Sequence, residues 1–153
     1  MLTLAIDSSS SSCSVAVVSD GNISSTVSAR MERGHGAAIM PMIQKAVNES
    51  NFSLSDFTGI AVTIGPGSFT GLRIAMAAAK GLAISQDIPL IGISCFAAVA
   101  QRVNQADRAL PYDILLIALN SKREDLYLEC RDALNKKVIP GGAVNSDLFF
   151  VKL

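Results

Sequence analysis

The residues best suited to chemistry lie in one stretch, Gly65-Pro66-Gly67-Ser68-Phe69-Thr70-Gly71-Leu72-Arg73. It follows an apolar β-branched run at 60–64 and leads into an alanine-rich run at 74–84, which reads as strand, glycine turn and helix start. The first N–H groups of a helix lack internal partners and carry partial positive charge, so such a turn can cradle a phosphate or a carboxylate. Gly65, Gly67, Ser68 and Thr70 would form the cradle, and the Arg73 guanidinium would grip the anion. The same glycines also suit a tight crossing of two backbones, since each lacks a Cβ. No Gly-Lys-Ser/Thr follows and the spacing is not that of a dinucleotide fingerprint, so the stretch is neither a P-loop nor a Rossmann turn. Isolated glycine motifs weigh toward the crossing.

The remaining reactive side chains are sparse. Asp7 precedes the serine run Ser8 to Ser12, a pattern expected of a turn or cap. His35 is the single histidine, so no histidine pair can hold a metal. Cys13, Cys95 and Cys130 are odd in number and lack close spacing, which fits a reducing compartment rather than a disulfide framework. No Gly-x-Ser-x-Gly elbow accompanies the serines.

The elements that must position these residues follow from the pattern of the chain. Strands are expected over 2–6, 13–18 and 23–29, joined by a tight turn at Asp20-Gly21 into an antiparallel meander. A helix is expected over 37–47 with Pro41 near its first turn, a strand over 60–64, a helix over 72–85, a strand over 90–93 and a helix over 95–104 with Ser94 as cap. Residues 105–113 are polar, contain Pro111 and form the best linker. Strands follow over 114–119 and 126–130, a turn at Pro140-Gly141-Gly142, and an apolar tail at 148–151. The order implies an α/β fold with a mixed sheet, divided into a lobe over 1–108 and a shorter one over 109–153 that echoes the opening hairpin.

Half of the 153 residues are hydrophobic and 17% are charged, enough for an aliphatic core. A net charge of zero argues against tight nucleic-acid binding by this chain alone. Neither a secretory signal nor an apolar run long enough to span a membrane is read from the sequence, so a cytoplasmic protein without membrane contact is expected.

The helices carry a second signal. Ile39, Met40, Ile43 and Val47 share one face of the first, and the second is apolar almost all round, with Met76, Ala78, Ala79 and Leu82. Such helices are either sandwiched within their own lobe or meet a partner, and methionine makes adaptable contact surface.

Leu4-Ala5-Ile6-Asp7-Ser8-Ser9 with Cys13-Ser14-Val15-Ala16 resembles the first hairpin of the actin, Hsp70 and sugar-kinase-like (ribonuclease-H-like) fold. The glycine loop, His35 with Met40-Pro41-Met42-Ile43, and Ala118-Leu119-Asn120-Ser121-Lys122-Arg123-Glu124-Asp125-Leu126-Tyr127 together resemble the TsaB (YeaZ) family. That resemblance covers residues 2–127 and implies a non-catalytic subunit that binds and activates the transferase TsaD in forming threonylcarbamoyladenosine on tRNA. It also implies a TsaE-like ATPase at the same assembly, a homodimer when alone, tRNA contact only through the complex, and no cofactor. The helices named above would pair with those of TsaD, or of a second copy, as a four-helix bundle. Active members of the larger fold use the aspartate at the position of Asp7 to organise Mg²⁺, but the turn here lacks the usual glycine. The catalytic relative holds metal with two histidines four apart, where this chain has Cys95 and Val99. Asn120 stands where the family usually has aspartate, and members are usually longer by roughly half. Two other readings remain: an ATP-dependent phosphotransferase using Asp7 and the loop near Gly65, and a metallopeptidase, which one histidine disfavours.

Overall fold

A computed structural model describes residues 1–106, 113–121, 125–132 and 134–145. The chain forms two compact units, Met1–Ile93 and Ser94–Leu153.

The first unit is a mixed sheet with two helices on one face. Its strands are β1 (Leu2–Asp7), β2 (Ser12–Ser19), β3 (Asn22–Arg30), β4 (Gly59–Gly65) and β5 (Leu90–Ser94), in the spatial order β3-β2-β1-β4-β5. β1 runs antiparallel to β2 and parallel to β4. The expected meander is present, and its turn places Asp20 (φ 49°) and Gly21 (φ 83°) in the left-handed region that a two-residue hairpin requires. Alternation decides which face is covered: Leu2, Leu4 and Ile6 of β1, Cys13, Val15 and Val17 of β2, and Ile60 and Val62 of β4 are all buried in one core.

Helix α1 (His35–Ser50) packs on β2 and β3, and helix α2 (Phe69–Gln86) on β1 and β4. Both are longer than the sequence suggested: α1 gains His35-Gly36 and the polar end at 48–50, and α2 gains 69–71 of the glycine stretch, which Ser68 caps into the helix, and Gln86. Pro41 sits inside α1 rather than in its first turn. It lies on the exposed side, so the Ala37 carbonyl whose helical partner it removes is open to water. Asn51 (φ 60°) closes α1 and Asp87 (φ 52°) closes α2 in the left-handed conformation. Between α1 and β4 a single 3₁₀ turn, Leu54–Asp56, is held by a reciprocal capping box between Ser53 and Asp56. The Asp56 carboxylate accepts from the Ser53 N–H and hydroxyl, both at 2.7 Å, and these bonds hold its pKa below the ordinary value.

The second unit holds α3 (Cys95–Ala106) and the antiparallel strands β6 (Ile114–Asn120), β7 (Asp125–Asp132) and β8 (Lys137–Asn145), in the order β6-β7-β8. Phe96 and Ala100 of α3 form a core with Ile117, flanked by Val99, Leu115, Leu119 and Tyr127. The helix expected to close the first lobe therefore clusters with the strands after it, and the boundary falls after Ile93 instead of after 108. The expected turn at Pro140-Gly141-Gly142 is a strand instead. Pro140 is tolerated because β8 is an edge strand among the described residues, and Gly141 because a Cβ there would lie 2.5 Å from the Phe96 ring. Most of the linker (107–112), the pair Lys122-Arg123 and the apolar tail lie outside the described residues.

Among the described residues of the second unit, two charged side chains are buried. Glu129 and Arg131, 2% and 6% exposed, face the α3 side of β7. Arg131 donates Nε–H to Glu129 Oε1 at 2.6 Å, and its other end donates to Asn135 Oδ1 at 3.0 Å. Lys137 Nζ lies 3.4 Å from the second Glu129 oxygen. Both carboxylate oxygens have cationic partners, the condition under which a buried pair is tolerated. Removing one partner strands the other: Arg131→Met is expected to destabilise the second unit by about 3 kcal/mol or more, measured by urea unfolding. By the cavity rule, Leu4→Ala should cost about 2–5 kcal/mol in the first unit.

Candidate functional site

β4 delivers the glycine stretch to the end of the sheet beside the turn that follows β1. Gly65 has φ 99°, the Gly65–Pro66 peptide is cis, and Ser68 caps α2 by accepting from the Gly71 N–H at 3.2 Å. The loop is bound to the β1 turn. Ser68 N–H donates to the Ser9 carbonyl at 2.7 Å, and the buried Ser8 hydroxyl donates to the Gly71 carbonyl at 2.6 Å. A Cβ on Gly67 would stand 2.3 Å from the Ser9 oxygen, and one on Gly71 would stand 1.9 Å from the Ser8 oxygen. Both glycines are thus accounted for by a crossing of two backbones.

Asp7 belongs to the same crossing. Its Oδ1 accepts from the Ser9 N–H at 2.9 Å, the bond of a turn-forming aspartate, and from the Thr63 hydroxyl at 2.6 Å. The structure therefore brings Asp7, Gly65, Gly67 and Ser68 together. Thr70 and Arg73 are exposed on α2, and the Arg73 guanidinium stacks 3.9 Å above the ring of Phe69. Burial, reinforced by the Asp7 carboxylate, pushes the neighbouring Cys13 thiol above its ordinary pKa, which leaves it unreactive. His35 opens α1 and is 8% exposed, with no hydrogen-bond partner for Nε2. Among the described residues no group of three or more His, Cys, Asp and Glu side chains converges.

The helix faces divide differently from their sequence pattern. Ile39, Ile43, Val47, Ala79 and Leu82 lie in the core of their own unit and present almost no surface. Ile43 and Val47 form only the floor of a groove of about 300 Å³ walled by Met40, Phe52 and Leu54. Met76 and Ala78 are half-buried, and Met40 is 48% exposed. Two residues missed by the sequence reading dominate the outward side of α2: Phe69, 67% exposed, and Ile84, 82% exposed. With Arg73, Ala77 and Lys80 they fall within one helical face. Their signal was available: a large apolar residue at each end of one face, spaced by whole helical turns.

A family model described as TsaD, tRNA N6-adenosine threonylcarbamoyltransferase, matches residues 23–134. The chain belongs to this family, as a TsaB/YeaZ-type member. It is 43% identical over 133 residues to the tRNA threonylcarbamoyladenosine biosynthesis protein TsaB of Escherichia coli K12, covering 83% of this chain and 53% of the relative. A Pseudomonas aeruginosa protein of solved structure, described as similar to peptidase YEAZ, superposes with a TM-score of 0.83 at 26% identity, covering 99% of this chain and 69% of that one. YeaZ from Pseudomonas aeruginosa superposes with a TM-score of 0.78 at 28% identity, covering 94% and 66%. The fold is the expected actin- and sugar-kinase-like α/β class. The chain spans about half the length of the TsaB relative from Escherichia coli.

The crossing is tested by adding single methyl groups. Gly71→Ala should destabilise the first unit by about 3 kcal/mol or more because the Ser8 backbone must move. Gly81→Ala, in open space within α2, should stabilise it by about 0.5–1 kcal/mol. Thermal unfolding of the two variants reads both signs.

Proposed function

We propose that this chain is a docking subunit in the synthesis of threonylcarbamoyladenosine on tRNA, and that it acts by binding a TsaD-like catalytic subunit through the outward side of α1 and α2. The carrying observation is the pairing of exposed Met40 on α1 with exposed Phe69 and Ile84 on α2, two helices that pack side by side on the same sheet face. Large apolar side chains held rigidly on helices, with polar groups around them, are the usual anchors of a protein interface. The glycine crossing supports the non-catalytic half of the reading, since its close approaches are already filled by the backbone of Ser8 and Ser9. Met40, Met76 and Ala78 remain from the contact residues expected by sequence, joined by Phe69 and Ile84.

In this reading the chain binds no cofactor and performs no transfer alone. It holds TsaD in its active arrangement, a TsaE-like ATPase joins the same assembly, and tRNA is met through the complex in the cytoplasm. Self-pairing through the same face is the competing use of these helices.

The test is co-elution with the TsaD-like protein of the same organism. Ile84→Asp places a charge on an apolar anchor of the proposed contact without touching the core of its own unit, and it should weaken the complex by about tenfold or more. Ile23→Asp, at a residue 69% exposed on β3, should leave the complex intact. Equal retention of both variants would remove the α2 face from the account.

A further inference from the structure

The second unit carries an apolar surface that the docking reading leaves unused. One face of its antiparallel sheet, with Leu115, Ile117, Leu119 and Tyr127, packs with Phe96 and Ala100 of α3. Register places the alternate residues on the other face. Leu116, Cys130 and Ile139 stand opposite one another across β6, β7 and β8, and toward one end of the sheet Leu126 stands opposite Val144. Leu116 and Ile139 are 47% and 58% exposed. Antiparallel strands with one face in water ordinarily alternate apolar and polar residues. β6 instead reads Ile-Leu-Leu-Ile-Ala-Leu before its closing Asn120, the run of a strand covered on both faces.

Size narrows the occupant. Three strands about 4.8 Å apart, with a rise of about 3.4 Å per residue, give a face of roughly 340 Å² over the length of β6. A stable complex buries about 800 Å² on each partner, so this face is too small to hold a second copy or a separate protein by itself. A segment of the same chain needs less area, because a short tether keeps it at an effective concentration on the order of millimolar. Such a segment follows β8 directly. Leu148-Phe149-Phe150-Val151 is an apolar run that needs cover as much as the sheet does, and it belongs to the same unit. β8 ends at Asn145, opposite Asp125, at the end of the sheet where Leu126 and Val144 lie. Only Ser146 and Asp147 intervene, residue types that favour reversing turns. Extended, residues 146–153 span about 26 Å, whereas the sheet measures about 10 Å from its first strand to its last. The run therefore reaches every strand of the face.

We propose that Leu148, Phe149, Phe150 and Val151 fold back over the open face of β6, β7 and β8 and seal it within the chain. The seal covers Cys130 and keeps a bare apolar sheet from recruiting other chains.

Cys130 is the built-in reporter, because it lies on the face to be covered while Cys13 and Cys95 are buried. The full chain is labelled with a maleimide, and the modified cysteine is read by peptide mass spectrometry. In the variant carrying Phe149→Asp and Phe150→Asp, Cys130 is expected to react at least about tenfold faster than in the wild type, with Cys13 and Cys95 still slow. A second variant, Phe150→Cys, leaves the rest of the run intact and tests proximity. A short bis-maleimide should join the introduced thiol to Cys130 within one chain, at a yield independent of protein concentration. The proposal is overturned if Cys130 reacts equally fast in the wild type and the double variant, or if the Phe150→Cys chain gives no internal link to Cys130. A link that joins two chains, at a yield that rises with concentration, also overturns it and makes the occupant a second copy. Should the double variant expose all three cysteines, its fold is lost and the Phe150→Cys link decides.

Discussion

The first unit depends on one close approach, the passage of the Gly67–Gly71 backbone over the carbonyls of Ser8 and Ser9. That contact joins the end of β1 to the start of α2 backbone against backbone, and the Ser8 hydroxyl ties it by donating to the Gly71 carbonyl. Asp7 reinforces it by tying its own turn to Thr63 on β4. With its first turn fixed at this point, α2 has little freedom to rotate. Ala75, Ala79 and Leu82 face the sheet, and Phe69, Arg73, Lys80 and Ile84 face away. The orientation of the proposed docking surface is therefore a consequence of the crossing.

The crossing also bears on chemistry. A glycine loop at a helix N-terminus binds an anion when its backbone stands open to the ligand. Here two of the loop's glycines are closed over by the neighbouring turn, and the guanidinium nearest the helix start lies on an aromatic ring. The same sequence features that suggest a phosphate site thus serve to seat a helix. The resulting surface is apolar at its ends and cationic between them, which suits recognition of another protein.

Much of the first unit was legible in the sequence because local rules and global fold agree there. Asp20-Gly21 announces a two-residue hairpin, and the alternation of Leu2, Leu4 and Ile6 announces a half-covered strand. The docking face was less legible. A helix turns its most regular apolar stripe toward its own sheet, so choosing Ile39, Ile43, Val47, Ala79 and Leu82 by periodicity chose the core. Phe69 and Ile84 stand outside that stripe; their spacing marks them as one face, and the placement of the sheet shows that face to be exposed. In the second unit, Pro140-Gly141-Gly142 carries strong turn chemistry that is overridden by pairing with β7 and by the space needed for Phe96. The Glu129–Arg131 pair was invisible for a related reason: alternating charges on a strand ordinarily mark a solvated face, and only α3 and the cross-strand partners make it a core.

The most direct measurement is hydroxyl-radical footprinting of the chain with and without the TsaD-like protein. The account expects Met40, Phe69 and Ile84 to become protected on complex formation, while Ile64 and Ile91, also exposed, keep their reactivity. A stable complex in which Met40, Phe69 and Ile84 react as they do in the free chain would contradict it.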